Sequence, residues 1–405
     1  MKLKTLDNFD FREKKVLLRI DINSPIVNGK VLDSPRFKES TETINELSKK
    51  GARIVIIAHQ GRKGKSDFLS LNQHARLLSR YTNKKVQYVN YLFNSFAINK
   101  INSLNNGEIL LLKNVRDFED EINPKLKTNH YKEFCKNFDI YVNDAFPASH
   151  RTHGSIVIPP KILPSCMGRA FEKELIALKN FHLKTSKKIA FLLGGSKAED
   201  YLPLFSILKN KHNKILVSGV FANLILVAKG HNLGYETKWL KEQGYNSLIP
   251  KLKTLCKKYE KQIILPTDFA VNGIQPEKAK KRIVKSLDEA PFNQKIWDVD
   301  KNTVNLFKEN LRGMDSIFMK GPLGYSEISQ FSNSTIDILK FLSNFSRKKN
   351  TFTLLGGGHL STTIQKYNIP NTFSHISTSG GALIAYLSGE KLPGIEALEK
   401  STKSK

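Results

Sequence analysis

Short apolar segments alternate with amphipathic segments along almost the whole chain. The apolar segments have the length of strands, and most of their positions are apolar in succession. They occupy residues 16–22, 52–59, 108–115, 139–146, 188–195, 213–220, 261–268, 315–321 and 350–358. Strands that are apolar on both faces and separated by helices are typical of parallel sheets covered by helices on both sides. The pattern therefore predicts an α/β protein.

The spacing of these segments fits two sheets better than one. Segment 168–183 has apolar residues at helical spacing and neither glycine nor proline after its first residue, which predicts a long helix between two groups of strands. A chain of 405 residues also exceeds the roughly 250–300 residues that one core supports. We expect two Rossmann-like domains with parallel sheets, joined by this helix and a hinge. The predicted bounds are 1–170 together with 385–405 for the first domain, and 171–384 for the second.

The chain is strongly basic, with 65 Lys and Arg against 37 Asp and Glu and a formal net charge of +28. Such a charge raises the hypothesis of a nucleic-acid-binding protein. The lysines are, however, spread along the whole chain without a defensible nucleic-acid-binding motif, so a solvated basic surface is favoured. Because a positive surface also attracts small polyanions, charge alone does not decide the function.

Hydropathy and cysteine usage bear on the compartment. No apolar run approaches the roughly 18–20 residues of a membrane span, and the N-terminal residues lack a signal-peptide pattern. The three cysteines, Cys135, Cys166 and Cys256, are far apart and fit neither a metal site nor a disulfide framework. We therefore expect a cytoplasmic protein that does not enter a membrane and keeps its cysteines reduced.

Four successive strands of the first half are followed by residues that suit a small anion. Ligands of parallel α/β sheets bind beyond the carboxyl ends of the strands. Arginine binds phosphate or carboxylate through two N–H groups, and Asp and Asn suit hydroxyl groups. The residues concerned are Asp21, Asn23, Arg36, His59, Arg62, Arg116 and Arg151. The pattern predicts a site for a small, anionic, hydroxylated ligand.

Glycines follow the strands of the second half, where no Walker motif is present. A glycine at a strand end lets backbone N–H groups approach a phosphate, and a following helix N-terminus favours an anion. These glycines are Gly194, Gly195, Gly219, Gly321, Gly324, Gly356, Gly357 and Gly358. The pattern predicts a nucleotide site of a type other than the P-loop.

An ordered set of motifs resembles the phosphoglycerate kinase family over nearly the entire chain. The motifs are RIDINSPIVNGKVLDSPRF, AHQGRKGK, LLKNVRDFEDE, YVNDAFPASHRTH, GGSKAEDYLPL, SGVFANL, GPLGYSE, SHISTSGGA and LPGIEAL. SGVFAN and the histidine after the triple glycine are similar to archaeal members. The resemblance implies reversible phosphoryl transfer from 1,3-bisphosphoglycerate to ADP, giving 3-phosphoglycerate and ATP in glycolysis and gluconeogenesis. It further implies Mg²⁺ with the nucleotide, and a monomer.

The resemblance also implies roles for individual residues. Arg36 and Lys197 would act on the transferring phosphoryl group, and the seven residues of the first half would hold the phosphoglycerate. The residues matched to the nucleotide site are Gly195, Lys197, Gly219, Gly321, Glu327, Gly356, Gly357, Gly358, His359, Ser377 and Thr378. Closure of the two domains about the helix of 168–183 and a segment near 380–395 would bring the two substrates together.

Three positions depart from the family pattern. Tyr201 stands where a second lysine is common, Lys320 where Asn usually precedes Gly-Pro, and His359 where Asp follows the triple glycine. The metal ligands are therefore left open. One alternative is a non-catalytic paralogue that only binds nucleotide, and the other is the nucleic-acid-binding protein. The presence of Arg36, Lys197 and Glu327 favours the enzyme.

Overall fold

The computed structural model describes residues 3–126, 128–182, 188–279, 281–349 and 351–401. The chain divides into two compact units. Unit 1 comprises Met1–Ile176 with Glu390–Lys405, and unit 2 comprises Ala177–Gly389. The boundary between the units falls within one helix, Arg169–His182.

Unit 1 contains a six-stranded parallel sheet and a small hairpin. The strands are β1 (Lys15–Arg19), β2 (Ile26–Val27), β3 (Lys30–Val31), β4 (Arg53–Ile57), β5 (Val86–Tyr88), β6 (Ile109–Leu111), β7 (Ile140–Asn143) and β8 (Ser165–Met167). The sheet order is β5-β6-β4-β1-β7-β8, and β2 pairs with β3. The two faces of the sheet pack into separate hydrophobic clusters, with Val16 and Leu18 in one and Leu17 in the other. This two-sided burial explains why the strands are apolar at consecutive positions.

Helices cover both faces of this sheet. Those in the first part of the chain are α1 (Pro35–Lys49), α2 (Asn72–Thr82), α3 (Ser95–Asn102), α4 (Glu119–Ile122), α5 (Tyr131–Cys135), α6 (Gly154–Val157) and α7 (Arg169–His182), the last of which continues into unit 2. Helix α1 begins with Pro35 at its first position, where a missing N–H costs no helical hydrogen bond. It ends before Gly51, whose φ of 77° suits glycine.

Unit 2 contains a second six-stranded parallel sheet and a three-stranded antiparallel sheet. The strands are β9 (Ile189–Leu193), β10 (Lys214–Val217), β11 (Ile263–Ile264), β12 (Asp268–Asn272), β13 (Ile283–Ser286), β14 (Lys295–Val299), β15 (Ser316–Lys320), β16 (Phe352–Gly356) and β17 (His375–Ser377). The orders are β11-β10-β9-β15-β16-β17 and β13-β12-β14.

The remaining helices follow in chain order. They are α8 (Gly219–Ala228), α9 (Tyr235–Glu242), α10 (Ile249–Lys258), α11 (Lys301–Leu311), α12 (Asn333–Lys349), α13 (Gly358–Lys366), α14 (Gly381–Leu387) and α15 (Pro393–Ser401). Helix α15 belongs to unit 1. A long 3₁₀ segment, Ala198–Lys209, follows β9 and contains Pro203. Among the described residues, no helix is both long and apolar enough to cross a membrane.

The predicted α/β fold with two parallel sheets is confirmed, and each of the nine apolar segments overlaps a strand. The sequence pattern did not predict the short strands β5, β8 and β17, or the antiparallel sheet. The three short strands have three residues each, which is too short for a periodic signal. Several strands also end earlier than the apolar segment. Strand β1 ends at Arg19, so Asp21 lies beyond the sheet.

Candidate active site

The carboxyl ends of four neighbouring strands carry the predicted anion site of unit 1. Strand β1 lies between β4 and β7, and β4 also pairs with β6, all in parallel. The polar residues that follow these strands therefore project from one edge of one sheet. All seven predicted residues of this half, from Asp21 to Arg151, follow one of these four strands.

Asp21 organises the first part of this site. Its Oδ2 accepts a hydrogen bond from Arg36 Nη1 at 2.6 Å, and its Oδ1 accepts one from the backbone N–H of Asn23 at 3.1 Å. The amide oxygen of Asn23 in turn accepts from the backbone N–H of Gly61 at 2.8 Å. Asp21 is buried, whereas Arg36 is half-buried. The β1 and β4 loops are thus tied together, and Arg36 is held in a defined position at the edge of the sheet.

His59 is a neutral hydrogen-bond donor in this site. Burial, followed by the charges of Arg19, Arg116, Arg36 and Arg151, holds its pKa well below the usual range. Its Nδ1 lies 3.0 Å from Arg19 Nη2. A guanidinium can only donate, so Nδ1 is the acceptor and the proton of the neutral ring resides on Nε2. Among the hydrogen bonds of the described residues, His59 Nε2 takes part in none, so its N–H can donate to a ligand oxygen, and the ring does not act as a cation.

Arg62, Arg116 and Arg151 lie close enough for their positive charges to repel. Burial, and then the charges of Arg151 and Arg19, lower the pKa of Arg116 to about 10. Burial and the charge of Arg62 lower the pKa of Arg151. Arg116 is oriented by a hydrogen bond from its Nη1 to the carbonyl oxygen of Gly61. Crowded cations of this kind create a positive potential that a bound anion would relieve.

Arg19 is a site residue that the sequence reasoning missed. It is fully buried in β1, and its Nε donates to Ser155 Oγ at 2.9 Å. Ser155 donates to both carboxylate oxygens of Glu121, through its Oγ at 2.9 Å and its backbone N–H at 2.8 Å. Burial alone would raise the pKa of Glu121, but the hydrogen bond with His153 and the charge of Arg19 outweigh it and lower that pKa. The signal in the sequence was the charged Arg19 between the apolar residues 16–18 and Ile20.

Three glycine turns of unit 2 lie in contact with one another. A Cβ on Gly194 would clash with the carbonyl oxygen of Pro322, and a Cβ on Gly321 would clash with that of Gly194. A Cβ on Gly219 would lie 2.7 Å from the carbonyl oxygen of Gly195. Gly219 and Gly321 also have positive φ values, of 59° and 75°. Only glycine permits these turns after β9, β10 and β15 to approach so closely.

Tyr201 holds part of this arrangement together. Its hydroxyl donates to the carbonyl oxygen of Gly194 at 2.6 Å, and its ring is buried. Lys197 lies on the same segment, immediately before the 3₁₀ residues 198–209, and its side chain is exposed. The departure at position 201 is therefore a buried structural tyrosine beside the glycine turns.

The glycines after β16 form a second group with the turn after β17. Gly356 is paired with Ser377 in the parallel register, and the backbone N–H of Gly357 donates to the carbonyl oxygen of Ser377 at 3.2 Å. Ser377 Oγ accepts from the backbone N–H of Ser379 at 3.0 Å, and Thr378 lies half-buried between them. Gly357 precedes α13 with a φ of 107°, and Gly358 is its first residue.

Glu327 and His359 form a pair of their own. His359 Nδ1 lies 2.9 Å from Glu327 Oε1, and both side chains are exposed. Within the described part of the chain, the side-chain hydrogen bonds and ion pairs of these two residues do not reach Lys197 or the glycines after β9 and β10. The predicted residues of unit 2 therefore lie in three groups. The first is formed by the turns of Gly195, Gly219 and Gly321, with Lys197 beside them. The second is formed by Gly356, Gly357, Gly358, Ser377 and Thr378, and the third is the pair of Glu327 and His359.

The arginine side chains of unit 1 and the glycine turns of unit 2, each at the carboxyl edge of its own parallel sheet, are of the types that bind phosphate groups. This arrangement fits the class of phosphotransferases. A sequence model described as phosphoglycerate kinase matches residues 6–390. The chain therefore belongs to the phosphoglycerate kinase family, whose acceptor is a carboxyl group.

Individual relatives agree with this assignment. Phosphoglycerate kinases of Methanosarcina mazei and Methanothermus fervidus are 38% and 37% identical to this chain. The alignments cover 98% and 99% of this chain and 94% and 98% of the relatives. The crystal structure of phosphoglycerate kinase from Pyrococcus horikoshii has a TM-score of 0.90 at 34% identity, covering 99% of this chain and 100% of that chain. The structure of the Coxiella burnetii enzyme has a TM-score of 0.80 at 28% identity, covering 98% and 99%. The likeness to archaeal members is confirmed, and neither predicted alternative is supported.

Proposed function

We propose that this chain reversibly transfers a phosphoryl group from 1,3-bisphosphoglycerate to ADP, giving 3-phosphoglycerate and ATP. Unit 1 would bind the phosphoglycerate and unit 2 the nucleotide. The observation that carries the proposal is the cluster of mutually repelling arginines around the neutral His59, on the same sheet edge as Asp21 and Asn23. Such a cluster suits a small ligand that combines phosphate, carboxylate and hydroxyl groups.

The reaction needs no general base. In the direction of ATP consumption the attacking group is a carboxylate, which is already ionised near neutral pH. Catalysis then depends on holding the reactants in line and on stabilising charge on the phosphoryl oxygens. Arg36, oriented by Asp21, would supply that charge from unit 1, and Lys197 would supply it from unit 2. His59 would orient the substrate by donating a hydrogen bond from Nε2.

Magnesium would enter with the nucleotide. Mg²⁺ is commonly held by phosphate oxygens, waters and one or two carboxylates. Asp200 fits this requirement, because it is an exposed carboxylate near the glycine turns, and its charge partly offsets the lowering of the pKa of Lys320 there. When bound, the ion would neutralise charge on the phosphates. His359 offers nitrogen instead of oxygen and is engaged with Glu327.

Transfer between two units requires that the two substrates meet, so we propose that the units close around both ligands. The hinge would include α7, within which the unit boundary falls, and the return of the chain to unit 1 after Gly389. Small-angle scattering with 3-phosphoglycerate and ADP together should show a smaller radius of gyration than with either alone. An unchanged profile would contradict closure.

We also propose a monomer that works in the cytoplasm in both glycolysis and gluconeogenesis. The three cysteines are buried and free, which suits a reducing compartment. Sedimentation at micromolar concentration should give one species of about the chain mass, and a concentration-dependent dimer would contradict the monomer.

A coupled assay tests the reaction directly. The purified chain should form ATP from 1,3-bisphosphoglycerate and ADP, and Mg²⁺ removal should abolish turnover. A chain that binds ADP but forms no ATP would be the non-catalytic paralogue. Salt-dependent binding of RNA or DNA without ATP formation would favour the nucleic-acid-binding protein.

A further inference from the structure

Lys320 occupies the centre of the carboxyl edge of the unit 2 sheet. It is the last residue of β15, where it lies opposite Leu193 of β9 and Gly356 of β16 in parallel register. The next residues on those two neighbours are the glycines of the Gly194 and Gly357 turns. Lys320 is therefore flanked by both glycine groups of the predicted nucleotide site, and only 8% of its surface is exposed.

The ammonium group of Lys320 has little to neutralise it. Its Nζ donates to the carbonyl oxygen of Gly380 at 3.3 Å and lies 6.0 Å from the centre of the Tyr201 ring. Among the ion pairs of the described residues, Lys320 takes part in none. An ammonium has three donors, so two remain for a ligand.

The charges around Lys320 do not neutralise its ammonium group. Burial is the main reason that the pKa of Lys320 falls to about 8, and the charge of Lys197 lowers it further. The charge of Asp200 acts in the opposite direction without forming an ion pair. The hydroxyl of Tyr201 is already engaged with Gly194. A buried cation next to a second cation is costly unless an anion joins it.

We propose that Lys320 binds the phosphate groups of the nucleotide together with Lys197. The inference rests on the proposed nucleotide site of unit 2 and adds to it a cation that completes its charge. It also explains the departure at position 201, because the positive charge at this place comes from the end of β15, while Tyr201 fixes the Gly194 turn.

Binding of adenosine, AMP and ADP to the full chain tests the inference. Two variants remove the charge, Lys320→Met and Lys320→Gln, and the second keeps a donor for the Gly380 carbonyl. Lys214→Met is the matched control, because Lys214 lies at the amino end of β10 and bonds to Asn310 at 2.9 Å. Both Lys320 variants should bind ADP about 10- to 100-fold more weakly. Their adenosine affinity, and all affinities of Lys214→Met, should stay within about twofold.

Proton uptake gives a second reading. Because the pKa of Lys320 is lowered to about 8, the side chain is only partly protonated at pH 8, and phosphate binding should raise that pKa. Calorimetry in buffers of different ionisation enthalpy should show wild type taking up as much as about half a proton more per ADP than Lys320→Met.

Two results would overturn the inference. One is wild-type ADP affinity in Lys320→Gln, whatever the affinity of Lys320→Met, and the other is an equal loss of ADP and adenosine affinity. Lys320→Gln carries the test if Lys320→Met does not fold. A wild-type chain that binds ADP no better than adenosine would instead contradict the proposed nucleotide site, so the two failures are distinguishable.

Discussion

The two units use the same type of sheet and carry two opposite kinds of predicted anion site. In unit 1 the site consists of side chains. Hydrogen bonds link Asp21 to Asn23 and Asn23 to the backbone of Gly61, and the buried Arg19 is bonded to Ser155 and His59. In unit 2 it consists mainly of backbone, and close contacts between glycines replace side-chain contacts. A small ligand with several functional groups suits the first arrangement, and a chain of phosphates suits the second. One topology can thus present either arrangement, depending on the residues at the carboxyl end of each strand.

The largest effect is expected where both sites act on the transferring group. Arg36→Ala and Lys197→Ala should each lower kcat by about a thousandfold, because each removes a charge that stabilises the phosphoryl oxygens. The free energy of unfolding should change little, since Lys197 is exposed and Arg36 only half-buried. The coupled assay and urea unfolding measure the two quantities. Arg53→Ala, at the amino end of β4, is the control. Near wild-type turnover in both variants would contradict the assignment of Arg36 and Lys197 to the transferring phosphoryl group.

The glycine site should be sensitive to a single methyl group. Gly194→Ala should raise the KM for ADP about tenfold or more, because Cβ would displace the Pro322 carbonyl and the turn beside it. It should also lower the free energy of unfolding by about 1–3 kcal/mol. Gly273→Ala is the matched control in the same unit, with open space around the added Cβ. Equal behaviour of the two variants would show that close packing of the turns is irrelevant to nucleotide binding.

A buried histidine of unit 1 should make the protein sensitive to acid. His74 lies in α2, and its Nε2 is 3.0 Å from Gln60 Oε1. Burial lowers the pKa of His74 from 6.5 to about 4. Between these pH values His74 is therefore protonated in the unfolded chain and neutral in the folded chain. Stability is therefore complete above about pH 6.5 and falls as the pH drops toward 4, by about 2 kcal/mol from this residue between pH 7 and pH 5. Urea unfolding at the two pH values should show a smaller difference for His74→Gln. The same difference in both proteins would refute the contribution of His74.

The smallest effect is expected at the exposed pair of unit 2. His359→Ala should change the free energy of unfolding by less than about 0.5 kcal/mol, because exposed ion pairs contribute little. A modest change in the KM for ADP, about two- to fivefold, would result from a less constrained Glu327. Loss of most activity would show instead that His359 itself contacts the nucleotide.

The sequence predicted the parallel sheets well, because apolar runs are local signals, and the candidate residues of unit 1 follow the strands as expected. Their role in binding stays a prediction. Arg19 was not predicted as a site residue, because the apolar run that contains it was interpreted as core. The partner that allows this arginine to be buried, Glu121, is linked to it through Ser155 and lies far away in the sequence. The antiparallel sheet escaped because its strands show no continuous apolar run. Contacts such as Lys320 with Gly380, 60 positions apart along the chain, depend on sheet order and could not be predicted from local pattern.

The division of labour between the two sites is tested most directly by titrating both ligands into Arg151→Ala. Arg151 is half-buried in the arginine cluster of unit 1, where Arg62 and Asp21 influence its pKa. Calorimetry should show the Kd for 3-phosphoglycerate rising about 10- to 100-fold, from the loss of a charge-assisted contact. The Kd for ADP should be unchanged. An unchanged Kd for 3-phosphoglycerate, or an equal rise for ADP, would contradict the assignment of one substrate to each unit.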